Sequence, residues 1–484
     1  MSALQLKQPS GFYLIAVGEM CERFSYYGAQ TLLILYLTKV FALSDNASYS
    51  LFGAYAAFAY ALPVAGGLLA DHLLSLKDTI VIGGILLILG NLLMAIPHLQ
   101  YFYMGLALNA CGIGLYKPNS ATLVGKLYQH HGSQEESGFT LFYMGMNIGA
   151  TASPFVYGVI GTWGYHYSYL VSAAILFVNW LGFIIYRRRI LFNSVSSSPG
   201  RYWLAYLLII LMCSVVTVLF LHPLVMSRFL PAFAAFVLLG IVIVLFQYKA
   251  IERNHLAALL ILCFFGTCFF TGSLQVGSSL NLFIERAVNH TLWGWQIPTI
   301  MFTSLYPLAV IVSAPAVVAI WSYLADRQRE PTVPIKFSLA LLLLSIGFGC
   351  FMLAALSTHH YFTLTWILLG NLALGAGELC LAPTLLYAIS RLAPTHLKST
   401  MMGIWCLFMA MGGYLSSLIA KLSSHPDYSS HKVISAAVYS QEFIYIALAT
   451  FAIACVIFIL TPWINSLMAH STPEVKSENK IFIA

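Results

Sequence analysis

The chain has 484 residues, 60% of them hydrophobic and only 8% charged. Soluble domains are roughly a quarter charged, so this one cannot coat a water-soluble globule with polar surface and belongs in a bilayer. Its net charge of +7 arises from 23 basic and 16 acidic side chains. These lie mostly between apolar runs, without the basic stripe that would bind nucleic acid.

In chain order, apolar runs ended by Gly, Pro, Ser or charge clusters predict helices near 12–40, 50–71, 78–96, 100–128, 138–160 and 165–187. The first run carries Glu19, Glu22 and Arg23 and lacks a small-residue cleavage site, so it is expected to stay in the mature protein. Beyond Arg187, Arg188 and Arg189 and a Ser/Pro/Gly stretch, two nearly non-polar runs follow near 202–221 and 229–248. Six more come near 257–284, 295–325, 335–357, 361–392, 398–421 and 438–464. This spacing predicts an all-α integral membrane protein of 14 transmembrane helices. A six-helix bundle would occupy 1–190, a linker with two extra helices 191–254, a second six-helix bundle 255–466 and a cytoplasmic tail 467–484. With a cytoplasmic N-terminus, interior ends receive 16 of the 23 Lys and Arg residues. Exterior ends receive Lys39, Arg228, Arg286, Lys421 and Lys432, an imbalance that places both termini inside. Two bundles of six joined by a basic loop is a layout common in secondary transporters.

An ionisable group at mid-bilayer costs about 2.5 to 3.5 kcal/mol, so Glu19, Glu22, Arg23, Lys117 and Glu378 would together cost on the order of 12 to 17 kcal/mol if lipid-facing and unpaired. They must face a wet cavity or one another. Glu19, Glu22, Arg23, Tyr26, Tyr27 and Gln30 recur at helical offsets that form one stripe, expected to line the bundle interior. Two cations face three carboxylates, so without a ligand one carboxylate lacks a counter-ion, and a proton or a substrate ammonium could neutralise it. Permanent ion pairs that merely hold helices together are the competing explanation. Lys117 precedes Pro118, and Glu378 stands between Gly377 and Pro383, so both are expected at irregular points on their helices. Gly145 and Gly149, with small-xxx-small spacing, are expected to pack helices closely.

The run Glu19-Met20-Cys21-Glu22-Arg23-Phe24-Ser25-Tyr26-Tyr27-Gly28 resembles the ExxERFxYYG signature of proton-dependent oligopeptide transporters, a branch of the major facilitator superfamily. Gly66-Gly67 with Ala70-Asp71, Gly114 through Lys117-Pro118-Asn119 to Gly125, and Phe142-Tyr143 with Asn147 and Gly149 are similar to that family's second, fourth and fifth helices. Gln275 to Ser279, Gly377-Glu378 with Pro383, and Met401-Met402-Gly403 with Trp405 resemble its seventh, tenth and eleventh. The resemblance spans nearly the whole chain, and the two inserted helices resemble bacterial members. It implies the superfamily's fold and symport of di- and tripeptides with protons by alternating access, across a bacterial inner membrane. No cofactor beyond the proton is implied, and the partners are peptide and lipid bilayer, with a monomer as the working unit. Arg23 and Lys117 would attract the peptide carboxylate and Glu378 its ammonium. Glu19 and Glu22, acting with Arg23 and Lys117, are the proton-coupling candidates. Tyr26, Tyr60 and Asn147 would hydrogen-bond the peptide, and Phe270 and Trp405 would wall the pocket.

Several positions depart from the family pattern. Gln30 stands where many members carry Arg, and Leu274 where its partner Glu often is, so the usual outer-gate ion pair is lost from both sides. Apolar packing and Gln30 hydrogen bonds are expected to close that gate instead. Phe270 replaces a frequent Trp, Tyr306 a frequent Asn, and His72 and Ser75 an Arg and a Gly of the inner loop.

Two other function classes remain in view. The same fold could carry a non-peptide solute such as nitrate. An intramembrane enzyme or channel would use Glu19 and Glu22 as acid and base, but no HExxH, GxSxG or phosphate-binding loop occurs, and no catalytic residue is assigned. The nine cysteines sit in apolar runs without metal-ligand spacing. His72, His130, His131, His359 and His360 fall at predicted loop ends as solvated surface, so no metal site is expected.

Overall fold

The structure, a computed structural model, describes residues 8, 9, 11–128, 135–187, 199–222, scattered positions between 225 and 239, 250–292, 294–357, 360–394, 398–423 and 432–468. The expected helix at 229–248 lies mostly outside the described residues, as do Arg188, Arg189, His130, His131, His359 and the tail beyond Met468.

The first six helices are α1 (Phe12–Lys39), α2 (Asp45–His72), α3 (Leu76–Met94), α4 (Leu99–Tyr128), α5 (Glu135–Gly161) and α6 (Tyr165–Tyr186). Then come α7 (Pro199–Leu221), α8 (Ala250–Ser273), the short α9 (Ser279–Ala287) and α10 (Leu305–Asp326). The last four are α11 (Val333–Leu356), α12 (His360–Leu392), α13 (Lys398–Ala420) and α14 (Lys432–Met468). A 3-10 turn at Leu274–Gly277 joins α8 to α9 as one interrupted span, and another at Thr299–Ser304 leads into α10. Between them lies a two-stranded hairpin, Thr291–Leu292 against Trp295–Gln296, that the apolar pattern did not foretell. Gly294 turns it with a φ of 83°. Ser44 and Ser75 cap α2 and α3 by accepting from Ala47 N and Asp78 N, so the Ser75 that departs from the family pattern starts a helix.

Ten stretches of described helix are long and apolar enough to cross a membrane. Outside that set stand α1, α4 and α5, the helices that bring Glu19, Glu22, Arg23, Lys117, Tyr143 and Asn147. They are tolerated because their polar faces turn inward among the other helices.

In the first half, α3 packs on α4, α1 on α5 and α6, and α2 on α4; in the second, α11 packs on α12 and α14, α10 on α12, and α8 on α13. Backbone approaches set these pairings. A Cβ on Gly149 of α5 would stand 2.3 Å from Met20 O of α1, the close packing expected of the small-xxx-small pair. A Cβ on Gly66 of α2 would meet Gly114 O of α4 at 1.9 Å. Gly114 is the residue four before Pro118, whose missing N–H leaves that carbonyl without its helical donor. Asn119 Nδ2 also crosses to Gly66 O at 3.3 Å. Gly66→Ala should therefore lower the thermal unfolding midpoint of the purified protein, with overpacking costing about 1–3 kcal/mol. Gly67→Ala, with nothing within 4 Å of its Cβ, should leave that midpoint unchanged.

The inserted α7 belongs with the first half. It packs on α4, and Tyr202 OH donates to Asp78 Oδ2 at 3.2 Å, beside the Arg187–Asp78 pair at 3.4 Å. Leu69, Leu115, Ala205 and Ile209 form a small apolar cluster there. On its other side an apolar groove of about 740 Å³, lined by Leu62, Leu211, Val215, Met411 and Tyr414 among others, separates α7 from α13.

Candidate functional site

The predicted stripe on α1 faces inward: Glu19, Glu22, Arg23, Tyr26 and Gln30 are buried and Tyr27 half-buried. Arg23 and Glu22 form a two-pronged pair, Nε donating to Oε2 at 2.5 Å and Nη2 to Oε1 at 2.7 Å. Adjacent residues on a helix do not share a face, but here two long side chains converge in a dry interior where an unpaired charge is costly. Glu19 lies 3.6 Å from Arg23 Nε and accepts from Ser120 Oγ of α4 at 2.5 Å. Two acids thus hold one guanidinium.

Lys117 is placed differently from the expectation that a carboxylate holds it. Its Nζ lies over the Tyr60 ring, 5.0 Å from the centroid, and it makes no ion pair among the described residues. Arg23 stands similarly over Tyr26 at 5.2 Å, and the Tyr26 and Tyr60 rings meet edge to face at 6.3 Å. The two cations are therefore paved by tyrosines, and only one is neutralised by a carboxylate.

On the opposite wall, Glu378 of α12 accepts a hydrogen bond from Tyr306 OH at the start of α10. Tyr306 was noted in the sequence only as a departure from a frequent Asn. No spacing rule could link it to Glu378, because they meet through the packing of α10 on α12. Trp405 of α13 and Phe270 of α8 form an edge-to-face pair at 5.7 Å, and Gly266 leaves room for the indole, since a Cβ there would stand 2.8 Å from Trp405. Tyr27 and Tyr60 lie within electrostatic reach of both Arg23 and Glu378, and Tyr143 within reach of Glu378. Charges of opposite sign on the two halves are thus linked through shared tyrosines. Asn147 is half-exposed, its Nδ2 donating to Tyr143 O at 2.9 Å.

Two further expectations need correction. Both α4 and α12 run unbroken through Pro118 and Pro383. The interruption falls instead at Leu274–Gly277, where Gln275 Nε2 donates to Ser416 O of α13 at 2.8 Å and its Oε1 accepts from Ser278 and Ser279. Side-chain acceptors and donors in that turn replace the lost helical bonds. Nor do Gln30 hydrogen bonds close the end assigned to the exterior: among the described residues Gln30 Nε2 has no partner. Leu274 is half-buried at the head of the turn.

Ion pairs do span the halves at that end. Arg286 of α9 grips Asp45 of α2 with two hydrogen bonds of 2.6 Å, and Lys39 of α1 pairs with Glu285 of α9, which also accepts from Thr299 Oγ1 at 2.5 Å. Asn281 Nδ2 donates to Thr31 O at 2.8 Å, and Ser304 Oγ to Thr151 O at 3.0 Å. Every ion pair between the halves among the described residues lies at this one end. The sequence offered these residues as isolated loop-end charges; their pairing required the fold.

Over residues 77–437, more than half of its length, the chain matches the sequence profile described as the POT family. It is 31% identical over 479 residues to the dipeptide and tripeptide permease B of Salmonella typhimurium, covering 96% of this chain and 97% of that one. The permease of the same name from Photorhabdus asymbiotica is 30% identical over 478 residues, with 96% and 97% covered. Among solved structures, a variant of a peptide transporter in complex with alafosfalin superposes with a TM-score of 0.83 at 25% identity, covering 95% and 96%. The tetrameric PepTSo2 does so with 0.82 at 25%, covering 94% and 99%. With the charged residues of the ten-residue signature on α1 buried in the helical interior, and with relatives matching from end to end, the chain belongs to the POT family, on the major facilitator superfamily fold, as a multi-pass membrane protein.

Proposed function

We propose that this protein is a proton-coupled symporter that imports di- and tripeptides by alternating access across a bacterial inner membrane, with both termini cytoplasmic, one chain as the working unit and no cofactor besides the proton. The observation that carries this reading is the placement of Lys117 and Arg23 on one half and Glu378 on the other, with Tyr27 and Tyr60 within electrostatic reach of Arg23 and Glu378 alike. A zwitterion fits that polarity: its carboxylate answers the cations, its ammonium answers Glu378, and its bound length bridges the two halves. Side chains of the peptide meet Tyr26, Tyr60, Phe270 and Trp405, whose apolar faces tolerate variety.

Glu22 and Glu19 serve as the coupling carboxylates. In the unliganded state Glu22 occupies both prongs of Arg23; a proton on Glu22 removes the charge that holds the guanidinium and frees it for a substrate carboxylate. Lys117, already without a carboxylate partner, is the first anchor. The bundles 1–190 and 255–466 are the rocking halves, and the inserted 191–254 is a lateral scaffold travelling with the first. The chemistry is transport rather than catalysis, and a small anion such as nitrate is the lesser reading, because Glu378 would repel it.

A competition screen in proteoliposomes tests the reading. Di- and tripeptides should displace labelled dialanine and nitrate should not, with uptake of the label above equilibrium only when the pH gradient is imposed. Displacement by nitrate alone would transfer the protein to the other substrate class.

A further inference from the structure

The mechanism above leaves one buried acid unused. Glu442 of α14 stands about 9 Å of helical rise past Ala436, where the apolar span begins. It is 1% exposed, and among the described residues neither carboxyl oxygen has a hydrogen-bond partner. Ser423 and Ser279 approach it, but their hydroxyls donate to Ala420 O and to Gln275 Oε1. An ionised carboxylate in so dry a place, with no donor, costs several kcal/mol, and such groups take up a proton instead.

What encloses it is the outer gate. Tyr49 of α2 in the first half, fully buried, lies within electrostatic reach of Glu442, as do Ser279 of α9 and Ser423 of the turn that also carries Lys421; Asp45 of α2 and Arg286 of α9 stand one step away, in reach of Tyr439. On α14 itself Tyr439 lies one turn earlier, on the same face, and its hydroxyl accepts from Arg286 Nη1 at 3.3 Å. Against α11 this stretch of α14 is aromatic, Phe443 packing on Phe348 and Phe351. Asp45 and Tyr49 belong to one half, whereas Arg286, Tyr439 and Glu442 belong to the other. Parting the halves at the outer end therefore removes Asp45 from Arg286 and the Tyr49 cover from Glu442 in a single movement.

We propose that Glu442 is a proton-binding carboxyl of the outer gate: it holds a proton while the gate is shut and releases it to exterior water when the gate opens. The gate is thereby a pH-sensing device in its own right, separate from the Glu22–Arg23 pair. Acid outside favours the shut gate. One proton bound only in the shut state shifts the shut-to-open ratio by about tenfold per pH unit.

This inference rests on the alternating-access reading but not on the cargo, so its test uses the full-length protein in nanodiscs without peptide. Spin labels carried on unnatural amino acids at exposed Val40 and Trp295, on opposite sides of the gate, report its opening as a distance distribution between about pH 5 and pH 8, a range that brackets neutrality. Glu442→Gln, which mimics the protonated carboxyl, should keep the gate shut over the whole range and remove about tenfold per pH unit from the wild-type dependence. Glu442→Asp should retain that dependence. An unchanged dependence in Glu442→Gln, or its loss in both variants alike, would overturn the proposal. A Glu442→Gln product that does not insert, or that unfolds well below wild type, also counts against it, because the uncharged amide should fit a site built for the neutral acid. If the competition screen fails while these distances behave as stated, the peptide reading is at fault and the gate assignment stands.

Discussion

Glu22→Gln should abolish peptide accumulation driven by an inward proton gradient while leaving counterflow exchange of labelled for unlabelled peptide partly intact. Glu22 is fully buried and occupies both prongs of the Arg23 guanidinium, so the state of its carboxyl decides whether that cation is available. The amide has no proton to release and no charge with which to recapture Arg23, which leaves the guanidinium permanently free for substrate but cuts the link to the gradient. Each coupled proton supports about tenfold accumulation per unit of pH difference, since about 1.4 kcal/mol corresponds to one decade. The variant should therefore equilibrate its peptide and go no further. Uptake against a gradient at the wild-type level would remove Glu22 as the coupling carboxyl. Glu19 gives the contrast: it lies farther from Arg23, at 3.6 Å, and is anchored by Ser120 on α4, so it supports the pair from the side.

The second large effect is expected at the opposite wall. Glu378→Ala should weaken binding of free-amine dipeptides roughly 10- to 100-fold, the range of a charge-assisted hydrogen bond of about 1.5–3 kcal/mol, and should scarcely change the weaker binding of N-acetylated ones. Isothermal titration at fixed pH measures both ligands on one preparation. Equal losses would mean that Glu378 shapes the wall without holding the ammonium. Tyr306 donates to this carboxylate and leaves its other oxygen for a ligand, so it positions Glu378 within the cavity. This partnership was not visible in the chain order.

Gln30 and Leu274 depart from the family's usual ion pair, and two others, Arg286–Asp45 and Lys39–Glu285, join the halves toward the same end. The buried Arg286 pair is shielded from solvent on the Asp45 side, whereas Lys39 and Glu285 are partly exposed and their attraction falls with added salt. Charge complementarity between the halves was kept while the positions that carry it moved.

The sequence by itself determined the helices, because apolar runs of membrane length leave no other way to satisfy a backbone in lipid. Thirteen of the fourteen expected spans fall on described helical segments with bounds displaced by a few residues, while the run near 229–248 lies mostly outside the described residues. It also determined the interior face of α1, since charges cannot face lipid and their helical spacing puts them on one side. What only the tertiary structure decided was partnership. Glu22 rather than Glu19 holds Arg23 closely, Lys117 rests on Tyr60, and Tyr306 serves Glu378. The Gly114 carbonyl that Pro118 leaves without a donor lies against Gly66 while α4 runs unbroken, and Glu442 is buried within electrostatic reach of Tyr49. Each of these joins residues tens or hundreds of positions apart, or chooses between neighbours of equal charge. Such choices depend on distances of a few ångströms, which helix packing fixes and a linear pattern of polarity does not carry.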